Sequence, residues 1–261
     1  YNEMEENNSK KVIPKKSLYN SNIPKLNVAL DGVAGSGKGT LATPLAELLE
    51  YKKLDAGAMY RAATKFFIDS GIDPDSVNDY LSKIKNIEYD GVNPSINGRT
   101  YMPEEIRNTT VDNLTPIYAE SPKFKKLILE AQRNLTSKEK GWVGEGRNMA
   151  FDVMGDNADV TIYLDANPYV RALRRWKERD LPDWEFPKII TELFNRDETD
   201  YHHNPPLMKP ETAKKQYQYY IDTTKGTIAD NFQRLVGIIK HKGININNQK
   251  LEEILKRLNN N

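Results

Sequence analysis

The sequence predicts an α/β fold of three layers, in which a parallel β-sheet carries helices on both faces. Two observations support this prediction. Short apolar runs of strand length alternate along the 261 residues with longer segments of helical periodicity. The runs within 141–149 and 158–167 also suit strands that are buried on both faces. Strands that alternate with helices pair in parallel through right-handed crossovers.

The first half of the chain begins this alternation. The run "LNVALD" (26–31) reads as a short apolar strand that ends in an acid, and 40–52 as a helix with regularly spaced apolar positions. A second short strand then leads into a helix at 58–69, which Gly71 closes. A further helix is predicted at 76–85.

The segment after residue 85 interrupts the alternation. It contains short extended pieces and the dipeptide Asn97-Gly98, which is a strong signal for a hairpin turn. A long amphipathic helix follows at 121–139. We therefore predict a small inserted subdomain at about 85–135.

The second half returns to strands and helices. The two buried runs give strands, and arginine-bearing helices follow at 168–179 and 186–200. The last strand is predicted at 217–224 and the last core helix at 226–240. The tyrosines at the start of that strand are expected to pack in the core or at the sheet edge rather than to stack on a base.

The two ends of the chain differ from the predicted core. Residues 1–25 are polar and show no periodicity, so we predict an extended or disordered arm, which lacks the composition of an intact transit peptide. Residues 241–261 form a tail, in which 245–261 is expected to make a short amphipathic helix outside the core. Either end could contact a protein partner.

Composition excludes several classes of protein. A formal net charge of +1 provides no basic field for nucleic acid. The absence of cysteine excludes disulfides and thiolate metal sites. No apolar run approaches the ~20 residues that a membrane-spanning helix needs. We therefore expect a soluble protein without membrane insertion, in the cytoplasm or the mitochondrial matrix.

A glycine-rich segment joins the first predicted strand to the first predicted helix. The stretch "GVAGSGKGT" fits the pattern G-x-x-x-x-G-K of phosphate-binding loops, whose backbone N–H groups point at phosphate oxygens. The helix that begins near Lys38 adds the positive end of its dipole, and the Lys38 ammonium would reach the β and γ phosphates. We therefore predict a P-loop NTPase fold that binds ATP through Gly32, Ala34, Gly35, Ser36, Gly37, Lys38, Gly39 and Thr40.

The residue after the lysine narrows the class of enzyme. GTPases and motor ATPases usually place Ser or Thr there as a Mg²⁺ ligand, whereas this chain has Gly39 and only then Thr40. Lys-Gly-Thr resembles the nucleoside monophosphate (NMP) kinases, in which phosphates and water hold more of the magnesium shell. Glu145, at the end of a predicted strand, could hold a Mg²⁺-bound water. Asp31 and Asp55 are weaker candidates for the same shell.

Several motifs in order resemble the bacterial-type cytidylate (CMP) kinases, over about 26–240. The resemblance implies an NMP-binding insert and a lid at about 175–205, with transfer of the γ-phosphoryl group of ATP to CMP or dCMP. The matching segments are "DGVAGSGKGT", "LDAGAMYRA", "INGRTYMPEEIRN", "VGEGRNM", "LDANPYVRALRRW", "NRDETDYHHN" and "YYIDTT".

The resemblance also implies which residues act. Positive charge around the moving phosphoryl group is what this reaction requires. Those charges would come from Lys38, Arg147, Arg174, Arg175 and Arg196. The acceptor would be bound by Arg61, Arg107, Lys125, Arg147, Asn148 and Asp200.

The acceptor side departs from the family pattern at several positions. A lost hydrogen bond to a substrate group costs ~1–3 kcal/mol, so several losses together could reduce selectivity for cytidine strongly. Three interpretations of the acceptor site follow. The site has been rebuilt for another monophosphate, it is weakened but active, or it is no longer under selection for this reaction. The departures are Ala56 and Pro116 in place of serines, Lys125 and His203 in place of arginines, Asn148 in place of an aspartate, and Ala150-Phe151 in place of Gly-Thr.

Three functions remain open from the sequence. The first is an ATP-dependent NMP kinase for a pyrimidine monophosphate, which the intact loop and the retained arginines favour. The second is a catalytically weakened structural subunit, a pseudoenzyme of a larger assembly, with a mitochondrial one as an option. The third is a nucleotide-binding regulator without turnover. The pair His202 and His203 is interpreted as solvated rather than as a metal site, because the chain has only one other histidine.

Overall fold

The computed structural model describes residues 24–202 and 206–260. Of the predicted arm, only Pro24 and Lys25 lie within these residues. His203 lies outside them. The strands are β1 (Val28–Gly32), β2 (Lys52–Asp55), β3 (Ile87–Tyr89), β4 (Pro94–Ile96), β5 (Arg99–Thr100), β6 (Trp142–Glu145), β7 (Val160–Asp165) and β8 (Tyr219–Asp222). The α-helices are α1 (Lys38–Leu49), α2 (Ala56–Asp69), α3 (Val77–Tyr80), α4 (Pro103–Ile106), α5 (Thr109–Tyr118), α6 (Pro122–Lys138), α7 (Pro168–Glu178), α8 (Phe186–His202), α9 (Pro210–Gln216), α10 (Ile228–His241) and α11 (Asn248–Asn259).

The main sheet has five parallel strands in the order β2-β6-β1-β7-β8. Side chains of β1 alternate between two apolar layers, because successive residues of a strand point to opposite faces. Val28 and Leu30 pack in the layer that contains α1 and α10, whereas Ala29 packs in the layer that contains α2 and α6. The predicted α/β fold with helices on both faces is therefore confirmed.

A second, antiparallel sheet of β3, β4 and β5 lies within the predicted insert. Its β4–β5 hairpin turns at Asn97 and Gly98, which both have positive φ (51° and 80°), as a two-residue turn of this kind requires. The turn predicted there is confirmed. The boundaries of insert and lid stay predictions.

Three predicted elements differ in the structure. The segment 76–85 is split into α3 and two flanking 3₁₀ turns rather than forming one helix, because so short a segment buries little surface to offset nucleation. The strand predicted at 141–149 stops at Glu145, and a π-helix, Met149–Met154, follows. Helix α9 was not predicted.

The tail helix α11 packs on the core instead of lying outside it. Ile254 is buried in the same apolar layer as α1. Arg257 makes two hydrogen bonds to the carboxylate of Glu47 on α1, at 3.2 and 2.6 Å. The amphipathic pattern therefore arises because one face of α11 packs against α1 and α10. Among the described helices, none is long and apolar enough to cross a membrane.

Candidate active site

The phosphate loop connects the carboxyl end of β1 to the start of α1, at the centre of the main sheet. Gly35 and Gly37 both have positive φ, at 74° and 93°, which residues with a Cβ rarely adopt. Gly37 is the N-cap of α1, and no side chain caps the helix there. The first N–H groups of α1 therefore have no side-chain acceptor, and the positive end of the helix dipole faces the loop.

The ammonium group of Lys38 folds back over this loop. Its Nζ donates hydrogen bonds to the carbonyl oxygens of Gly32 and Val33, both at 2.8 Å. Burial, together with the neighbouring positive charge of Arg147, lowers the pKa of Lys38 to about 8. An anion in the loop would oppose both effects, so the site favours a ligand that brings negative charge to Lys38.

This pKa predicts that ATP affinity depends on pH. Protonated Lys38 binds phosphate better than neutral Lys38, and its protonated fraction falls as the pH rises through about 8. We expect the Kd for ATP to be about tenfold weaker at pH 9 than at pH 7, as measured by calorimetry. The Lys38→Ala variant should bind ATP more weakly but with a flat profile over this range. An equally steep profile in that variant would contradict the assignment to Lys38.

Arg174 and β8 support the other side of the loop. The hydroxyl of Thr223 donates to the carbonyl oxygen of Ser36 at 2.9 Å, and Arg174 donates to that same hydroxyl at 3.0 Å. Arg174 therefore supports the loop from the end of the last strand. The Ser36 hydroxyl is buried and has no hydrogen-bond partner within the described part of the chain. Thr40 is exposed at the start of α1.

Glu145 faces the first turn of α1. A Cβ placed on Gly39 would lie 3.1 Å from Oε1 of Glu145. The same Oε1 forms an ion pair with Lys53 at 2.8 Å. A single carboxylate beside the loop fits a Mg²⁺ ion that is held mostly by phosphates and water. Residues 24–202 and 206–260 contain no group of three or more His, Cys, Asp or Glu side chains that could hold a metal.

Asp31 and Asp55 are engaged by the fold. The buried carboxylate of Asp31 accepts the N–H groups of Met149 and Ala150 and the hydroxyl of Tyr217, at 2.7 to 2.9 Å, and burial raises its pKa. It anchors the segment after β6 through these contacts, and its place in a magnesium shell stays a prediction. Asp55 caps α2 through the N–H of Ala58.

Positive groups converge on α8 from two separate segments. The buried Asp200 forms ion pairs with Arg147 Nε at 2.7 Å and with Arg196 Nε at 3.3 Å. Burial and the charge of Arg196 lower the pKa of Arg147 to about 10. Arg175 also has a lowered pKa, because of burial and of the charge of Arg179. The structure therefore joins Arg147 and Arg196 through Asp200, and the charge of Arg147 acts on Lys38.

The predicted acceptor residues surround Asp55 on the neighbouring side. Asp55 Oδ2 lies 2.6 Å from Arg107 and 3.5 Å from Arg61, and the buried Nε of Arg61 has no partner among the described residues. Beside them, a cleft of about 350 Å³ extends along β2 towards the loop at 91–94. An acceptor phosphate could take the place of Asp55 on these arginines.

The remaining acceptor positions are more scattered. Asn148 donates from its side chain to the carbonyl oxygen of Pro206 at 3.1 Å. Lys125 is half-buried on α6, Ala56 is the first residue of α2, and Pro116 lies inside α5.

Sequence reasoning missed a buried ion pair beside the loop, between Arg171 and Asp197. Both residues lie in motifs that had been recognised, one helical turn from residues that were predicted to act. No sequence signal separates Arg171 from the neighbouring arginines, because its burial on α7 is seen only in the structure.

Comparison with known proteins identifies the family of the chain. A family model described as "Cytidylate kinase" matches residues 28–241. The cytidylate kinase of Fervidobacterium nodosum is 33% identical over 82% of this chain and 96% of its own. Those of Carboxydothermus hydrogenoformans and Halalkalibacterium halodurans are 33% and 30% identical, over 83% and 84% of this chain and 98% and 99% of their own. These relatives give no support to a pseudoenzyme in a mitochondrial assembly.

Proposed function

Because the chain belongs to the cytidylate kinase family, we propose that it transfers the γ-phosphoryl group of ATP to CMP or dCMP. It is an ATP-dependent phosphotransferase. The observation that carries the choice of reaction is the arrangement of charges. The uncapped start of α1 and Lys38 lie next to Arg147, which shares Asp200 with Arg196.

The donor side binds the triphosphate. The N–H groups at the start of α1 and the Lys38 ammonium would hold the β and γ phosphates, while Arg174 keeps the loop in place through Thr223. Magnesium, when bound, would neutralise the phosphates, and Glu145 would hold one of its waters. Lys38 must leave the two loop carbonyls that it contacts in this structure to reach the phosphates.

The transfer itself requires positioning more than covalent chemistry. A phosphate oxygen of the monophosphate attacks the γ phosphorus, the bond to the β–γ bridging oxygen breaks, and ADP and a nucleoside diphosphate result. Arg147, Arg175 and Arg196 would compensate the charge on the phosphoryl oxygens as it moves. Arg61 and Arg107 would hold the acceptor phosphate once it displaces Asp55.

The acceptor base is the open part of this proposal. Ala56 and Pro116 offer no side-chain hydrogen bond, and Lys125 offers a point charge where an arginine would offer a planar fork. Polar contacts to a base give strong discrimination only where the site's own groups would otherwise remain unpaired. We therefore propose a site that prefers cytidine monophosphates by a smaller margin than a complete set of contacts would give.

Turnover with a panel of acceptors tests the proposal. The purified chain is mixed with ATP and Mg²⁺ and offered CMP, dCMP, UMP, AMP or TMP separately, and the diphosphate product is quantified. We expect CMP or dCMP to give a kcat/KM at least about tenfold above AMP, which corresponds to the loss of one good contact. The Lys38→Ala variant should form product at a strongly reduced rate with every acceptor.

Two results would overturn the proposal. A preference for AMP or TMP would show that the base site has been rebuilt for another monophosphate. Absence of product with every acceptor, together with measurable ATP binding, would indicate a nucleotide-binding protein without turnover.

A further inference from the structure

Arg171 lies at a junction of three parts of the fold. Its guanidinium, 3% exposed on α7, donates from Nε to the carbonyl oxygen of Ala166 just after β7, at 2.9 Å. Nη1 donates to the carbonyl oxygen of Ala34 in the phosphate loop at 3.0 Å. Nη1 and Nη2 also make a bidentate pair with Asp197 on α8, at 3.0 and 2.6 Å. One side chain thus joins the sheet, the loop and α8.

The loop fits closely against this side chain. A Cβ on Gly35 would lie 3.1 Å from the Cβ of Arg171, so the loop packs directly on α7 at this point. The guanidinium donates to oxygens of Ala166, Ala34 and Asp197, and the residue is buried rather than open to a ligand. Arg171 is therefore a positioning residue, which would act through the Ala34–Gly35 segment of the loop.

Helix α8 holds two functional regions with two buried aspartates. Asp197 reaches the phosphate loop through Arg171, and Asp200, one turn later, holds Arg147 and Arg196. A movement of α8 would therefore change the loop and the arginine cluster together. This coupling is possible because both carboxylates are on the same face of one helix.

We infer that the Arg171–Asp197 pair positions the phosphate loop from α8 and thereby sets the affinity for ATP. The inference rests on the proposed function. A buried ion pair of this kind adds little stability compared with apolar side chains of similar volume. Its burial next to the loop is explained better by the shape that it imposes on Ala34 and Gly35 than by a contribution to folding.

The test separates positioning from folding by replacing both partners with apolar residues. In Arg171→Met/Asp197→Leu the fold should persist, with a thermal midpoint within about 4 °C of the wild type, since no buried charge is left unpaired. We expect the Kd for ATP, measured without acceptor, and the KM for ATP to rise at least about tenfold, and the KM for CMP to change less than about threefold.

A matched control is available on the same two helices. Arg179 and Glu192 also join the end of α7 to α8, at 3.1 Å, but both are 40% exposed and no contact among the described residues links them to the loop. The variant Arg179→Met/Glu192→Leu should keep the wild-type Kd for ATP. Asp197→Asn, which preserves shape, should weaken ATP binding by about threefold or more and provides a second variant if the first does not fold.

The outcomes are distinct. A Kd for ATP within twofold of the wild type in a folded Arg171→Met/Asp197→Leu variant, or in Asp197→Asn when the first does not fold, would overturn the inference. An equal loss in the Arg179→Met/Glu192→Leu control would also overturn it, because the effect would then belong to the contact between helices in general. If the wild type bound ATP but phosphorylated no acceptor, the proposed function would fail, and the Kd comparison would still decide the inference.

Discussion

Replacing Lys38 with alanine is expected to lower kcat for ATP and CMP about 10²- to 10³-fold. Removing one preorganised charge from a phosphoryl-transfer site costs ~3–4 kcal/mol of transition-state stabilisation, and each 1.36 kcal/mol is tenfold in rate. The Nζ of Lys38 donates to the carbonyl oxygens of Gly32 and Val33, and the charge of Arg147 acts on it. The rate is measured by coupled detection of ADP at saturating ATP and CMP.

The loss should come from the site and not from the fold. Among the described residues, the Nζ of Lys38 makes hydrogen bonds only to two loop carbonyls, so the circular dichroism spectrum and the thermal midpoint of Lys38→Ala should match the wild type. Lys126→Ala removes a lysine that is 76% exposed and should leave kcat unchanged. A folded Lys38→Ala protein that keeps a tenth or more of the wild-type kcat would remove Lys38 from the proposed machinery.

Replacing Gly32 with alanine is expected to cost at least about 4 kcal/mol of the free energy of unfolding, an unusually large effect for adding one methyl group. The new Cβ would lie 1.9 Å from the carbonyl oxygen of Leu164 and 2.8 Å from its carbonyl carbon. These are backbone atoms of β7, which is paired on both sides within the main sheet and has no room to retreat. The backbone of Gly32 also has φ of 144°, which adds strain for any other residue.

Urea denaturation followed by circular dichroism measures this effect, and Gly37→Ala is its control. Gly37 lies in the same loop with φ of 93°, but no atom lies within 4 Å of the Cβ it would gain. That variant should lose only the ~1–2 kcal/mol that a left-handed conformation costs an L-residue. Equal losses in the two variants would mean that steric contact with β7 is not the reason for Gly32.

The helix α7 shows where sequence reasoning reaches its limit. Arg171, Arg174 and Arg175 lie within five residues and look alike as charges in an arginine-rich helix. In the structure, Arg171 is buried against Asp197, Arg174 donates to Thr223, and Arg175 lies near Arg179 and Arg196. The motif predicted the last two as functional and missed the first, because helical periodicity does not say which partner each face meets.

The same limit applies to the acidic residues at strand ends. Position alone made Asp31, Asp55 and Glu145 similar candidates for a magnesium shell. Their contacts in the structure differ. Asp31 accepts N–H groups from the segment after β6, and Asp55 caps α2 and pairs with arginines. Glu145 faces Gly39. Position in the sequence does not distinguish these contacts.

The sequence by itself determined the features that depend on neighbours along the chain. The phosphate loop, the apolar strands, the turn at Asn97-Gly98 and the α/β class follow from local conformational preference and periodicity. Tertiary structure alone decided the pairings between distant residues, such as Asp31 with Met149, Arg147 with Asp200, and Arg171 with Ala34, which are 118, 53 and 137 positions apart in the chain. Such contacts form only after the parallel sheet brings strand ends to one edge, and no local pattern encodes which of several similar charges will then meet.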